Sequence, residues 1–248
     1  MADTRKRIDT LAVHAGTPTP RVLGAIVTPI FQSAMYEDEG ASTYHDIRYI
    51  RLNNTPNHLA VQEKLAALEG AEAALVTSSG MAAITTAMLS VLRAGDHLLV
   101  QDSLYGGTHT FVVHDLERLG ISYTFVAAGD PPSWERALRA ETRAIYVETI
   151  SNPLMRVPDL DGVVAFAQRH GLVSMIDNTF ASPVNFRPVE HGFDLSLHSG
   201  TKYLNGHSDV AAGALIGSAE LVRGAKRMLD HLGGSLDPHA CFLLERGM

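Results

Sequence analysis

Between residues 73 and 217 seven short, mostly apolar runs recur, and helical segments closed by glycine fit between most of them. No other feature restricts the fold of this chain so strongly. The runs are AALV (73–76), HLLV (97–100), ISYTFV (121–126), AIYVE (144–148), LVSMID (172–177), DLSLH (194–198) and AAGALIG (211–217). Helices are expected over 81–93 and 161–170, among others, each followed closely by a glycine stop. Strands that are apolar on both faces and alternate with helices form a mostly parallel α/β sheet covered by those helices. With 248 residues, 46% of them apolar, the chain can bury a substantial core.

Upstream of the repeating pattern, residues 1–53 carry scattered Pro and Gly with little periodicity. They read as an extended arm that needs another surface to lie on, and a partner subunit would supply one. The body, residues 54–232, opens at Asn54-Thr55-Pro56, where Thr55 can cap a helix and Pro56 can occupy its first turn before Gly70 ends it. Residues 233–248 are set apart as a final segment.

Composition removes several classes of function. A net charge of −7, without a Lys/Arg cluster interleaved with aromatics, argues against nucleic-acid partners. No apolar run approaches a bilayer span, and MADTRKRIDT lacks the apolar core of a secretory signal, so a cytoplasmic address without membrane contact is expected. The single cysteine, Cys241, excludes an internal disulfide and a cysteine-based metal cluster, and reads as a small buried hydrophobe. Twelve histidines show no ligand spacing such as HExxH, so no metal is expected.

Ligands of such sheets bind beyond the carboxyl ends of the strands, which directs attention to the strand-end loops. The first, Thr77-Ser78-Ser79-Gly80-Met81-Ala82-Ala83, opens into a helix whose free N–H groups and positive dipole end suit a phosphate, although a plain helix cap has the same sequence. It is neither a GxxxxGK[ST] nor a GxGxxG pattern. The second carries Tyr105 beside Gly106 and Gly107, so its ring can stack on a planar ligand or pack on its own turn. The fourth strand ends in Glu148 and runs into Asn152-Pro153, an acid and an amide that leave the sheet together, within what is also ordinary turn chemistry. The fifth delivers Asp177, a carboxylate that is costly there unless it meets a cation or several donors. The sixth ends in Ser199-Gly200-Thr201-Lys202, a lysine at a strand end flanked by hydroxyls, for which a surface turn is the plain alternative. A phosphate cup, a stacking ring, a carboxylate and a lysine on one rim are the set that pyridoxal phosphate requires.

Five motifs in order, SSGMAA, LYGGT, VETISNP, IDNTFASP and SLHSGTKYLNGHSD, resemble those of the trans-sulfuration, or Cys/Met metabolism, family of pyridoxal-phosphate enzymes. That family includes cystathionine gamma-synthase, gamma-lyase and beta-lyase, methionine gamma-lyase and the acyl-homoserine sulfhydrylases. The resemblance covers nearly the whole chain. It implies an aspartate-aminotransferase-like (fold type I) large domain, pyridoxal phosphate as cofactor, and Lys202 as the Schiff-base lysine. By the same resemblance Gly80 and Met81 give backbone donors to the phosphate, and Ser199 and Thr201 add hydroxyls. Tyr105 stacks on the ring, Asp177 pairs with the pyridine nitrogen, Asn152 faces the phenolic oxygen and Glu148 neighbours the substrate. Tyr49-Ile50-Arg51 resembles a Tyr-x-Arg segment that reaches the neighbouring subunit's site, Arg51 to bind phosphate and Tyr49 to help activate substrate. That implies a homodimer or homotetramer with shared sites.

The implied activity is carbon–sulfur lysis or gamma-replacement on a small amino acid, with cystathionine or O-acyl-homoserine as the substrate class. Departures from the pattern refine this. Asn54-Thr55-Pro56 stands where Asn-Pro-Thr is commoner. Gly107 occupies the place of a cysteine usual in methionine gamma-lyases, and Gly106-Gly107 differs from the enteric beta-lyase loop, which favours the gamma-synthase and gamma-lyase branch. The closing FLLERGM resembles the start of a helix that leads to a small domain carrying a carboxylate-binding arginine, so the chain reads as lacking that domain. Two other readings stay open: a truncated, non-catalytic cofactor-binding or dimerising protein, and an aminotransferase, which Tyr-x-Arg and SGTKY disfavour.

Overall fold

The structure, a computed structural model, describes residues 7–38 and 40–248. Residues 1–6, where the reading for a leader begins, lie outside them. Every expected strand forms: β1 (Ala73–Thr77), β2 (His97–Gln101), β3 (Ser122–Val126), β4 (Thr142–Glu148), β5 (Val173–Asp177), β6 (Leu195–Ser199) and β7 (Gly213–Gly217). They join in one sheet of order β1-β7-β6-β5-β4-β2-β3. From β3 to β6 all neighbours are parallel, whereas β7 runs antiparallel to both β6 and β1. Residues 200–212 join β6 to β7 without a helix, and the short return across one sheet edge leaves the antiparallel pairing as the accessible one.

The helices are α1 (Ile8–His14), α2 (Pro56–Glu69), α3 (Gly80–Val91), α4 (Gly106–Phe111), α5 (Pro131–Ala137), α6 (Leu160–His170), α7 (Ser182–Asn185), α8 (Ala219–Leu232) and α9 (Pro238–Gly247). They cover both faces of the sheet. Met88 of α3, Val112 and Leu229 of α8 pack on Leu98, Tyr146, Met175 and Leu197, while Trp134 of α5 and Phe166 of α6 pack on Ile145, Val147 and Ile176 from the other side. A third cluster seats Val61 and Leu65 of α2 and Cys241 and Leu244 of α9 against Val76 and Ile216. Burial at this depth contributes roughly 1.5–3 kcal/mol for each large apolar side chain. Cys241 is fully buried, as its type suggested, and burial pushes its thiol pKa up.

Some local expectations need correction. Thr55 does hold the N-cap position of α2, with Pro56 in the first turn and Gly70 (φ 69°) as C-cap, but its hydroxyl pairs with His58 Nδ1 at 2.7 Å and caps no backbone N–H. The arm is not wholly irregular, since α1 forms within it. Downstream of α1 its described residues form short 3₁₀ turns and one isolated bridge between Met35 and Tyr49, and leave Leu23, Ile26 and Val27 exposed. Among the described residues no helix is long and apolar enough to cross a membrane.

Candidate active site

Strand parity decides what faces α3. Tyr146, Met175, Leu195 and Leu197 belong to the cluster under α3 and α8, so at period two Glu148, Asp177 and Ser199 leave the same face at the carboxyl ends of β4, β5 and β6. Glu148 and Asp177 are direct partners in the parallel register. These ends, the start of α3 and the loop before α4 enclose a cavity of about 280 Å³. Nine of the residues singled out in the sequence line it: Gly80, Met81, Tyr105, Glu148, Asn152, Asp177, Ser199, Thr201 and Lys202.

The start of α3 is seated by contacts that tolerate no side chain. A Cβ on Gly80 would lie 2.8 Å from that of Ser199, and one on Gly213 of β7 would lie 2.1 Å from the Ser79 carbonyl oxygen. Ser79 caps the helix by accepting the Ala82 N–H at 3.1 Å. First-turn amides have no intrahelical acceptor, so the Gly80 and Met81 N–H groups are left at the cavity wall. Gly107 makes room for the nearby aromatic, because a Cβ there would come within 2.6 Å of the Tyr105 ring.

Asp177 is anchored through one oxygen. Its Oδ1 accepts from the Thr179 N–H at 2.9 Å and from the Thr179 hydroxyl at 2.5 Å, and that hydroxyl oxygen accepts the Ser199 N–H at 2.8 Å. Oδ2 has no hydrogen-bond partner among the described residues. Burial pushes the Asp177 pKa above the ordinary carboxylate range, against the opposing pull of the two Thr179 bonds. Thr179 was quoted in the sequence only as part of a motif. Its role needed the spatial approach of β5 to β6.

Glu148 is 3% exposed. Its Oε1 accepts the Tyr105 N–H at 2.7 Å and its Oε2 accepts the Asn152 N–H at 3.1 Å. Burial, with the neighbouring Asp177 charge adding to it, raises its pKa to about 7 although both N–H bonds oppose the shift. Thr201 is partly engaged, accepting the Ala212 N–H at 3.0 Å. His207 and Asp209 bond to Asn205 and so fix the turn after Lys202. Ile150 and Phe180 in loops and Ile84 on α3 also line the cavity; as apolar residues they carry no pattern that distinguishes them from core or turn positions.

Tyr49 and Arg51 do not line this chain's cavity. Arg51 donates to the Asp230 carbonyl of α8 and lies over the rings of Tyr44 and Tyr49, at 5.6 and 5.3 Å from their centroids.

The sequence profile of the family described as "Cys/Met metabolism PLP-dependent enzyme" matches residues 9–248. The chain belongs to that family. A probable cystathionine gamma-synthase of Herpetosiphon aurantiacus is 40% identical over 96% of this chain and 75% of its own length. An L-methionine gamma-lyase of Porphyromonas gingivalis is 38% identical over 98% of this chain and 63% of its own. The crystal structure of a cystathionine gamma-lyase of Lactobacillus plantarum, complexed with L-serine, matches with TM-score 0.92 and 34% identity over 98% of this chain and 63% of that one. The aspartate-aminotransferase-like fold expected from the motifs is therefore the fold present. Several relatives thus extend well past the length of this chain, and near-equal identities to differently named enzymes do not separate their chemistries.

The family's cofactor is pyridoxal phosphate, and the site can be tested against it. A partly buried carboxylate whose pKa is raised, with one oxygen unpartnered, fits a ring nitrogen that carries a proton. Unpaired first-turn amides fit a phosphate, and Tyr105 held open by Gly107 fits a flat ring. The donor set suits the cofactor.

Proposed function

We propose that this protein binds pyridoxal phosphate through Lys202 and carries out elimination or gamma-replacement on a sulfur-containing amino acid or an acyl-homoserine. The observation that supports this best is the convergence of Lys202, Asp177 and the α3 amides on one cavity. When bound, the cofactor supplies an electron sink for a carbanion formed at the substrate's alpha carbon.

The chain's own groups have distinct tasks in this reading. The Gly80 and Met81 N–H groups and the Ser199 and Thr201 hydroxyls hold the phosphate, with the α3 dipole adding about 0.3–1 kcal/mol, or up to about 2 when partly buried. Asp177 keeps the ring nitrogen protonated, which lowers its own pKa back to the ionised range. Tyr105 would stack on the ring and Asn152 would pair with its phenolic oxygen. The Lys202 amine would hold the cofactor and would serve as the group that moves protons at the substrate's alpha carbon and beyond. Arg51 and Tyr49 serve a neighbouring subunit's site, and their absence from the chain's own cavity supports that assignment. Gly106-Gly107 favours the gamma-synthase and gamma-lyase branch. In the same reading α9 begins the connection to a further domain that binds the substrate carboxylate, and the protein is cytoplasmic.

The test is direct. Borohydride reduction of the protein with pyridoxal phosphate, followed by peptide mapping, should put the label on Lys202. A label on another lysine, or none under excess cofactor, overturns the assignment.

A further inference from the structure

Glu148 stands out within the cavity because both of its oxygens already accept backbone N–H groups. Each accepts a backbone N–H from a different loop, one from Tyr105 before α4 and one from Asn152 after β4. The Glu148 backbone N–H is itself held at 2.9 Å by the Gln101 side chain at the end of β2, and Gln101 Nε2 donates to the Ser103 carbonyl at 2.8 Å. The end of β2 and the two loops therefore meet at one residue, the loops at its side chain. We infer that Glu148 is a positioning residue whose ionised carboxylate clasps the Tyr105 and Asn152 loops in the geometry that receives the cofactor ring. This rests on the pyridoxal phosphate reading and replaces the expectation that Glu148 meets the substrate.

The clasp depends on charge. An ionised carboxylate offers acceptors on both oxygens, whereas a protonated one turns one oxygen into a donor that confronts an N–H. The groups facing it are Asp177 on β5, Tyr146 two residues back on β4, Tyr105 and Asn152 on the two loops, and Lys202 across the same cavity. Burial and the Asp177 charge bring the Glu148 pKa to about 7, so the clasp opens as pH falls through neutrality.

Hydrogen exchange at the Tyr105 and Asn152 amides reads the clasp without any cofactor. In the wild-type protein both amides should lose protection together as pH falls from about 8 to 6, after correction for intrinsic exchange. In Glu148→Gln at least one amide should exchange roughly tenfold faster or more at pH 8, the loss of one charge-assisted bond, and the pH dependence should vanish. With pyridoxal phosphate added, the induced circular dichroism of the bound cofactor should weaken in the variant and in acidified wild type alike. Thermal melting of the variant checks that it folds; if it does not, the paired pH response of the wild-type amides still decides the matter. Unchanged exchange in Glu148→Gln, or wild-type amides that respond to pH separately or not at all, overturns the clasp. If the amides respond as expected but no cofactor dichroism or Lys202 label forms, the clasp stands and the cofactor reading fails.

Discussion

Two carboxylates side by side at the ends of β4 and β5 are both pushed up in pKa, and this makes their ionised forms a source of instability. For Glu148 the folded value of about 7 lies above the ordinary 4.5. Its contribution to stability is therefore fully present below about 4.5 and is lost as pH rises through 7. Urea unfolding of the cofactor-free protein at pH 5 and pH 8 should show that loss, on the order of 3 kcal/mol at most, and Glu148→Gln should remove most of it. Asp177→Asn should act in two directions. Without cofactor it should be at least as stable as wild type at pH 7, because a partly buried charge is removed while the Thr179 N–H keeps an acceptor. With cofactor it should still link through Lys202 yet lose most turnover, since a neutral amide cannot hold the ring nitrogen protonated. Unchanged turnover would make Asp177 a purely structural residue.

At the scale of elements, the site depends on how closely β7 lets the β1–α3 turn approach. Gly213 has no Cβ to strike the Ser79 carbonyl or the Thr77 hydroxyl. Gly213→Ala should lower stability by about 1–3 kcal/mol through overpacking, and should weaken cofactor binding by lifting Gly80 and Met81 from their place. Denaturant melts and a cofactor titration measure the two effects, and a variant that loses stability alone would show that the α3 amides do not bind the phosphate. The seven strands were legible because each is a short apolar run bounded by polar turns, and parity then fixed which residues share a face. Their order was not legible. Nothing in AAGALIG distinguishes an antiparallel central strand from a parallel one, because both are buried on two faces.

On the scale of the whole molecule, this chain spans about 63% of the length of several relatives. The 248-residue chain should bind pyridoxal phosphate, since the proposed ring, phosphate and lysine contacts all fall between Tyr49 and Lys202. It should turn over cystathionine poorly by itself, whereas a version extended to the length of its relatives should release a keto acid. A missing charge-assisted contact to the substrate carboxylate would cost about 1.5–3 kcal/mol. Release of 2-oxobutyrate marks gamma-elimination and pyruvate marks beta-elimination. Equal turnover by both versions would mean that the carboxylate anchor lies within these residues.

The sequence by itself determined the α/β class, the strand positions and the chemical types at the strand ends, because hydrophobic period and turn residues are local properties of the chain. It also identified Lys202, Asp177 and Tyr105 as belonging together, through motifs whose spacing the fold requires. Only the tertiary structure decided that Glu148 turns both oxygens to backbone amides of separate loops, that Thr179 ties Asp177 to β6, and that Tyr49 and Arg51 stay out of their own cavity. The physical reason is common to all three: a hydrogen bond or a burial is set by groups distant in the chain, and their approach is fixed by packing and register, not by local spacing.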